Sequence, residues 1–195
     1  MGRQKHNKLR IGIDIDNVVI NSTQAVIDYY NSRTGDSLRE CDIKTYDVSQ
    51  YVQPEFRDCF YELFWNEKAL EKVKPLPYCQ QTIKSLFHLG HEIYFVTATT
   101  PQYLPFKYNL LKEYFPYMDI GKALIVAQDK HMVNVDVLID DYWGNCVNAP
   151  YYSILLDYPW NVNYDDAEYE KIFRVPNWRY IVPMVEVIEK LKGVK

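Results

Sequence analysis

No two cysteines stand at a metal-gripping or bridge-forming spacing: Cys41, Cys59, Cys79 and Cys146 are scattered, with no CxxC pair. That excludes a zinc knuckle and a disulfide framework, and it reads as free thiols in a reducing cytosol. His6, His88, His91 and His131 show no metal-binding spacing either. Long apolar runs are missing as well. The stretch after Arg10 is interrupted by Asp14 and Asp16, so it can be neither a signal-peptide core nor a membrane span. Met1-Gly2 opens like a myristoylation site, but His6 stands where that motif wants Ser or Thr. An excess of positive charge is also lacking. A formal net charge of -4 gives no electrostatic case for a nucleic-acid polymer, and the basic start from Arg3 to Arg10 reads as a solvated tail. Internal repeats and low-complexity segments are absent. What these absences leave is a cytoplasmic chain of 195 residues, 48% hydrophobic, enough for one ordinary domain with a small insert.

Five short apolar runs rich in β-branched residues read as buried strands: Leu9 to Ile15, Glu92 to Thr97, Ala123 to Ala127, Val137 to Ile139 and Tyr152 to Leu156. Helical patterns separate them. One runs from Pro77 to Leu89, with Cys79, Ile83, Leu86 and Phe87 on one face and Gly90 as its stop. Another runs from Pro101 to Phe115, and a last helix starts near Pro183 and turns Val187, Ile188 and Leu191 inward. Strands alternating with helices predict an α/β fold, a Rossmann-like parallel sheet of about five strands with helices on both faces. The first two strands are separated by far more chain than one crossover helix needs. The surplus reads as helices over Ser22 to Arg33 and Pro54 to Glu67, with Pro75-Leu76-Pro77 as a stiff return. This predicts a core of residues 1–22 and 74–195 and a small helical cap, 23–73, inserted after strand 1.

Four pieces carry the chemistry. Asp14 and Asp16 follow the first strand, Thr97 closes the second, Lys130 lies just beyond the third, and Asp140-Asp141 closes the fourth. In open α/β sheets ligands bind beyond the carboxyl ends of the strands, so the four pieces can converge. Carboxylates crowded at one point repel, and a hard divalent cation such as Mg2+ is the usual remedy. One carboxylate can then attack phosphorus, while a neighbour two residues on trades a proton with the leaving oxygen and then with water. Lys130 and Thr97 supply the donors that a transferring phosphoryl group needs. Each piece has a plainer reading when taken alone. An Asp at a strand end caps a helix or turn, Asp140-Asp141 can cap a helix beginning near Tyr142, a lone Lys is solvated, and a strand-end Thr is strand chemistry. Capping alone does not account for the combination in this order.

Together the four segments resemble the motifs of the haloacid dehalogenase superfamily of phosphohydrolases, and are most similar to its 5'(3')-deoxyribonucleotidase family. The stretch Asp-Lys-His-Met-Val-Asn-Val-Asp-Val-Leu-Ile-Asp-Asp (129–141) resembles that family's third and fourth motifs. Lys74-Pro75-Leu76-Pro77 resembles its cap exit, and Ile154-Leu155-Leu156-Asp157-Tyr158-Pro159-Trp160-Asn161 its last-strand segment. The resemblance implies a haloacid dehalogenase-like core and a role for each matching position. Asp14 would be the nucleophile, forming an aspartyl-phosphate, and a metal ligand. Asp16 would be the general acid and base, its main-chain carbonyl also ligating Mg2+. Thr97 and the backbone nitrogen of Ala98 would hold the phosphoryl oxygens, and Lys130 would neutralise nucleophile and phosphate. Of the last pair, Asp141 is the expected metal ligand and Asp140 its water-holding partner. The chain departs from the family pattern at Asn17, where Gly is common, and at Ser22, where some members carry an aromatic that stacks on the base. It departs again at Tyr142, where some carry Arg. Asn tolerates left-handed backbone, so the turn at position 17 survives.

The cap is aromatic. Phe56, Phe60 and Phe64, four apart, read as the buried face of one helix, and Tyr61 and Trp65 lie on a neighbouring stripe from which one could face the active site and stack on a base. The resulting expectation is a magnesium-dependent phosphomonoesterase acting on (deoxy)ribonucleoside monophosphates, with another small ester such as a sugar phosphate as the alternative. A phospho-accepting receiver domain is the rival from another class, but the order here argues against it: Lys130 precedes Asp140-Asp141, and a long insert follows the first strand. A catalytically dead binding module would not keep every acid, Thr and Lys position filled. No membrane partner is expected, and a homodimer is left open.

Overall fold

The computed structural model describes residues 8–165 and 167–193. His6 and most of the basic start from Arg3 lie outside them. Arg10, grouped above with that tail, instead opens a strand and pairs with Asp136.

The sheet is wholly parallel and has six strands: β1 (Arg10–Ile13), β2 (Glu92–Thr97), β3 (Leu124–Val126), β4 (Val137–Asp140), β5 (Tyr152–Leu156) and β6 (Ile172–Val175), in the order β3-β2-β1-β4-β5-β6. Five of these are among the strands expected from the sequence; β6, an edge strand of four residues with Arg174 inside it, is not. Side chains alternate across the sheet with the strand period of two. Ile11, Ile13, Ile93, Phe95, Val137, Ile139, Ile154 and Leu156 point into one large core, and Val96, Leu138 and Leu155 into smaller clusters on the other face. Each fully buried Ile, Leu or Phe contributes roughly 1.5–3 kcal/mol. Gly12 permits the close approach of β1 to its neighbours, because a Cβ there would lie 3.1 Å from Leu138 and 3.2 Å from Val96.

Three helices cover the large core: α4 (Cys79–His88), α5 (Leu104–Tyr114) and α8 (Ile181–Leu191). Two shorter ones, α6 (Ile120–Ala123) and α7 (Trp143–Cys146), flank β3 and β4. On α4 the expected face holds except at Phe87, which is 37% exposed and lies against Tyr117. Gly90, at φ 95°, follows the helix as expected. On α8 the expected face is corrected. The helix starts at Ile181, two residues before Pro183, and buries Ile181, Val185 and Ile188, leaving Val187 and Leu191 exposed.

The long β1–β2 connection holds α1 (Ser22–Thr34), α2 (Phe60–Phe64) and α3 (Glu67–Leu70), with 3-10 turns between them. A single helix over Pro54 to Glu67 does not form. Pro54–Cys59 is 3-10, and Asn66 ends the next segment because its side chain caps Ala69 of α3. This connection has an apolar cluster of its own, in which Tyr30 meets Phe56, Phe60 and Phe64 edge to face at 5.1–6.0 Å. The two ends of this part of the connection, before α4, lie side by side: Ile20 bridges Pro75, and the Leu76 N–H donates to the Val19 carbonyl at 2.8 Å.

Candidate active site

The strand order reverses direction at β1, between β2 and β4, and crevices beyond the carboxyl ends of strands at such points are where ligands bind in this architecture. Asp14 follows β1 directly, and its N–H still donates to the Ile139 carbonyl at 2.9 Å, which sets the first carboxylate beside β4. The chain then turns back on the Ile15 carbonyl, which accepts from the N–H groups of Val19 (2.9 Å) and Ile20 (3.1 Å). Asn17 supplies the left-handed residue of this turn, at φ 57°. Its side chain accepts from the Thr23 N–H at 3.0 Å and donates to Asp141 Oδ2 at 3.4 Å.

Asp14, Asp140 and Asp141 each offer an oxygen within 4.8 Å of the others, and all three are buried. Lys130, on a 3-10 turn after β3, stands between two of them, with Nζ 2.6 Å from Asp14 Oδ1 and 2.7 Å from Asp140 Oδ2. Asp140 also accepts from Asn145 Nδ2 (3.1 Å) and from the Tyr142 N–H (2.9 Å), so its capping and ion-pair roles coexist. Asp141 Oδ2 accepts from Trp160 Nε1 at 3.0 Å. Burial pushes the Asp14 carboxyl up to about 7, reinforced by Asp140 and Asp16 and opposed by Lys130. Burial, then Asp140 and Asp14, pushes Asp141 well above the carboxylate range. Burial alone would lower Lys130, but Asp14 and Asp140 outweigh it and hold the ammonium above its ordinary value. Lys130 and Lys107 cannot neutralise all four acids of the site. An all-oxygen donor set that is short of positive charge fits a hard divalent cation.

Asp16 stands to the side of this cluster and lines a cavity of about 280 Å³. Lys107 of α5 bonds to Asp16 Oδ2 and donates to Thr97 Oγ1 at 2.8 Å. The other Asp16 oxygen, Oδ1, is buried with no hydrogen-bond partner. Thr97 is itself fully buried, and Ala98 lines the cavity. Tyr61, Trp65, Tyr46, Tyr103 and Trp160 form its aromatic wall. Both candidate aromatics thus reach the cavity, but the Tyr61 hydroxyl is committed: it donates to Asp47 at 3.0 Å and accepts from the Val48 N–H at 3.2 Å. Tyr46 lies tilted against Tyr142, with centroids 4.1 Å apart and ring planes at 38°.

Sequence reasoning missed Lys107, Trp160 and Tyr46. For Lys107 a signal existed: it shares a buried stripe with Leu110 and Leu111, and a charge on an apolar stripe needs a partner. Trp160 carried none, because its value comes from a contact with Asp141 made only in the fold.

The sequence profile of the family described as "5' nucleotidase, deoxy (Pyrimidine), cytosolic type C protein" matches residues 7–192. The chain is 30% identical to a 5'(3')-deoxyribonucleotidase of Clostridium acetobutylicum, over 77% of this chain and 83% of that one. It is also 30% identical to a 5'(3')-deoxyribonucleotidase of Bacillus subtilis, over 88% of this chain and 95% of that one. Among solved structures it is similar to a haloacid dehalogenase-like family hydrolase from Xanthomonas campestris, with a TM-score of 0.60 at 12% identity, covering 97% of this chain and 100% of that one. The motifs, the fold and these likenesses agree: the chain is a phosphoric monoester hydrolase of the haloacid dehalogenase superfamily and belongs to the deoxyribonucleotidase family of cytosolic type C 5'-nucleotidases.

Proposed function

We propose that this protein is a magnesium-dependent nucleotidase that hydrolyses (deoxy)ribonucleoside monophosphates in the cytoplasm through an aspartyl-phosphate on Asp14. The observation that carries this reading is the convergence of Asp14, Lys130, Asp140 and Asp141 beside a cavity walled by aromatic rings. Asp14 attacks phosphorus, forming an O–P bond as the ester P–O bond breaks, and Asp16 gives its proton to the leaving oxygen. Water then attacks the aspartyl-phosphate, passes a proton to Asp16, and releases inorganic phosphate from Asp14. Thr97, the Ala98 N–H and Lys130 hold the phosphoryl oxygens, while Lys107 orients Asp16 and Thr97 toward them. Asp14, Asp141 and the Asp16 main-chain carbonyl would hold the magnesium ion, with Asp140, already saturated by Lys130, Asn145 and Tyr142, as the supporting partner. When bound, the ion supplies the charge that lets these carboxylates stay ionised together and screens the phosphoryl oxygens.

In this reading residues 1–22 and 74–195 are the catalytic core, and 23–73 form a cap that seats over the cavity and excludes water. Aromatic rings suit a nucleobase, whereas a sugar phosphate would want more hydroxyl and carboxylate partners in the wall. The test is phosphate release from a panel of nucleoside 5'- and 3'-monophosphates beside sugar phosphates. Highest kcat/KM on deoxynucleotides supports the reading, and turnover confined to sugar phosphates overturns the nucleotide assignment while keeping the chemistry.

A further inference from the structure

Trp160 sits where two regions meet. Its indole N–H donates to Asp141 Oδ2 at 3.0 Å, and Asn17 Nδ2 reaches the same oxygen at 3.4 Å. Both donors fall on one oxygen, so the carboxylate cannot rotate without losing them. Asn161, the next residue, holds the main chain: its Nδ2 donates to the carbonyls of Asp141 (2.8 Å) and Leu156 (2.7 Å). The carbon surface of Trp160 belongs elsewhere. The residue is 4% exposed, and its ring stacks on Tyr158 with centroids 4.4 Å apart and packs in the apolar cluster of the β1–β2 connection. Among the described residues, Trp160 is the single buried member of that cluster from outside residues 26–70. The connection thus grips the ring while the ring's one polar atom fixes an acid of the cluster. Partners of this kind, one step removed from a metal, orient the ligand that touches it.

We propose that Trp160 is a positioning residue that couples the seating of the 23–73 segment to cation binding at Asp14, Asp140 and Asp141, an inference that rests on the metal-dependent reading above. A shift of the segment moves the ring, and the N–H leaves Asp141. The coupling is reciprocal: a seated segment favours the cation by the same free energy with which the cation favours the seated segment.

The test uses the full chain, without substrate, and Mn2+ as the probe, its free fraction read by electron paramagnetic resonance. Trp160→Phe keeps one aromatic ring in the apolar cluster but removes the pyrrole half of the indole and its N–H. It weakens Mn2+ binding about tenfold. Val26→Ala thins the buried cluster and weakens Mn2+ binding about threefold in wild type, but has no effect in the Trp160→Phe background, where the transmitting bond is gone. Equal Mn2+ affinity in wild type and Trp160→Phe overturns the proposal, as does a Val26→Ala effect of the same size in both backgrounds. If Trp160→Phe melts below the assay temperature, Val26→Ala alone decides: unchanged affinity overturns the coupling. A wild type that binds no Mn2+ and ignores chelator overturns the metal reading itself, whereas a binding wild type with indifferent variants overturns only the role of Trp160.

Discussion

Lys130 is 3% exposed and stands between Asp14 and Asp140, so removing its charge leaves two buried carboxylates facing each other. Lys130→Met should lower metal-free stability by about 3 kcal/mol, read from urea midpoints, because an uncompensated buried charge is costly. It should also lower turnover more than about 100-fold, because the phosphoryl oxygens lose a cation. Lys107 makes a different prediction. It is 4% exposed and tied to Asp16 and Thr97 rather than to the buried triad. Lys107→Met should therefore lower kcat about 100-fold at saturating magnesium, and a binding titration should show Mn2+ affinity little changed. Such a split would separate the proton-handling side of the site from its cation side.

At the scale of elements, Asp136 ties three of them at the end of the sheet away from the site. It precedes β4, accepts from the Arg10 N–H of β1 at 2.8 Å, and lies 2.6 Å from Lys192 just past α8. Burial works against its charge, but Arg10 and Lys192 overcome this and hold the carboxyl down to about 2. A lowered folded-state pKa means that the stabilisation is full above the ordinary carboxylate range and is lost as pH falls through about 4 toward 2. Asp136→Asn should cost on the order of 1 kcal/mol at neutral pH, given the solvent that screens a half-exposed Arg10. The gap in melting temperature between wild type and variant should close in acid. Elements were legible where burial enforces a pattern: the runs of β1, β2, β4 and β5 are apolar because both faces of the sheet are covered. The Pro54–Glu67 stretch was not legible as it folds, because its aromatic spacing fits a helix while the choice of Asn66 as a cap depends on where α3 packs. Edge strand β6 escaped because Arg174 breaks its apolar run, and that side chain serves the loop after β5 by donating to Asp157 and Asn161.

For the whole molecule, the chain places its acids where the parallel order brings four strand ends together, and so the core of the site could be read from order alone. Asp14, Thr97, Lys130 and Asp140-Asp141 announced themselves as polar residues closing apolar runs. Of the surrounding wall, Tyr61 and Trp65 could be picked from the aromatic pattern, but Tyr46, Tyr103 and Trp160 could not, because they come from loops whose approach is fixed only by the packing of the β1–β2 connection on the core. Asp14 as the nucleophile of a metal-dependent phosphatase is open to direct test. The most direct measurement is phosphate release from a deoxynucleoside monophosphate by wild type and Asp14→Asn, each with magnesium and with chelator. Chelator should abolish wild-type release, and Asp14→Asn, folded by melting temperature, should be slower than magnesium-loaded wild type by more than about 10³-fold. An Asp14→Asn protein that keeps wild-type turnover, or a wild type indifferent to chelator, would contradict this role for Asp14.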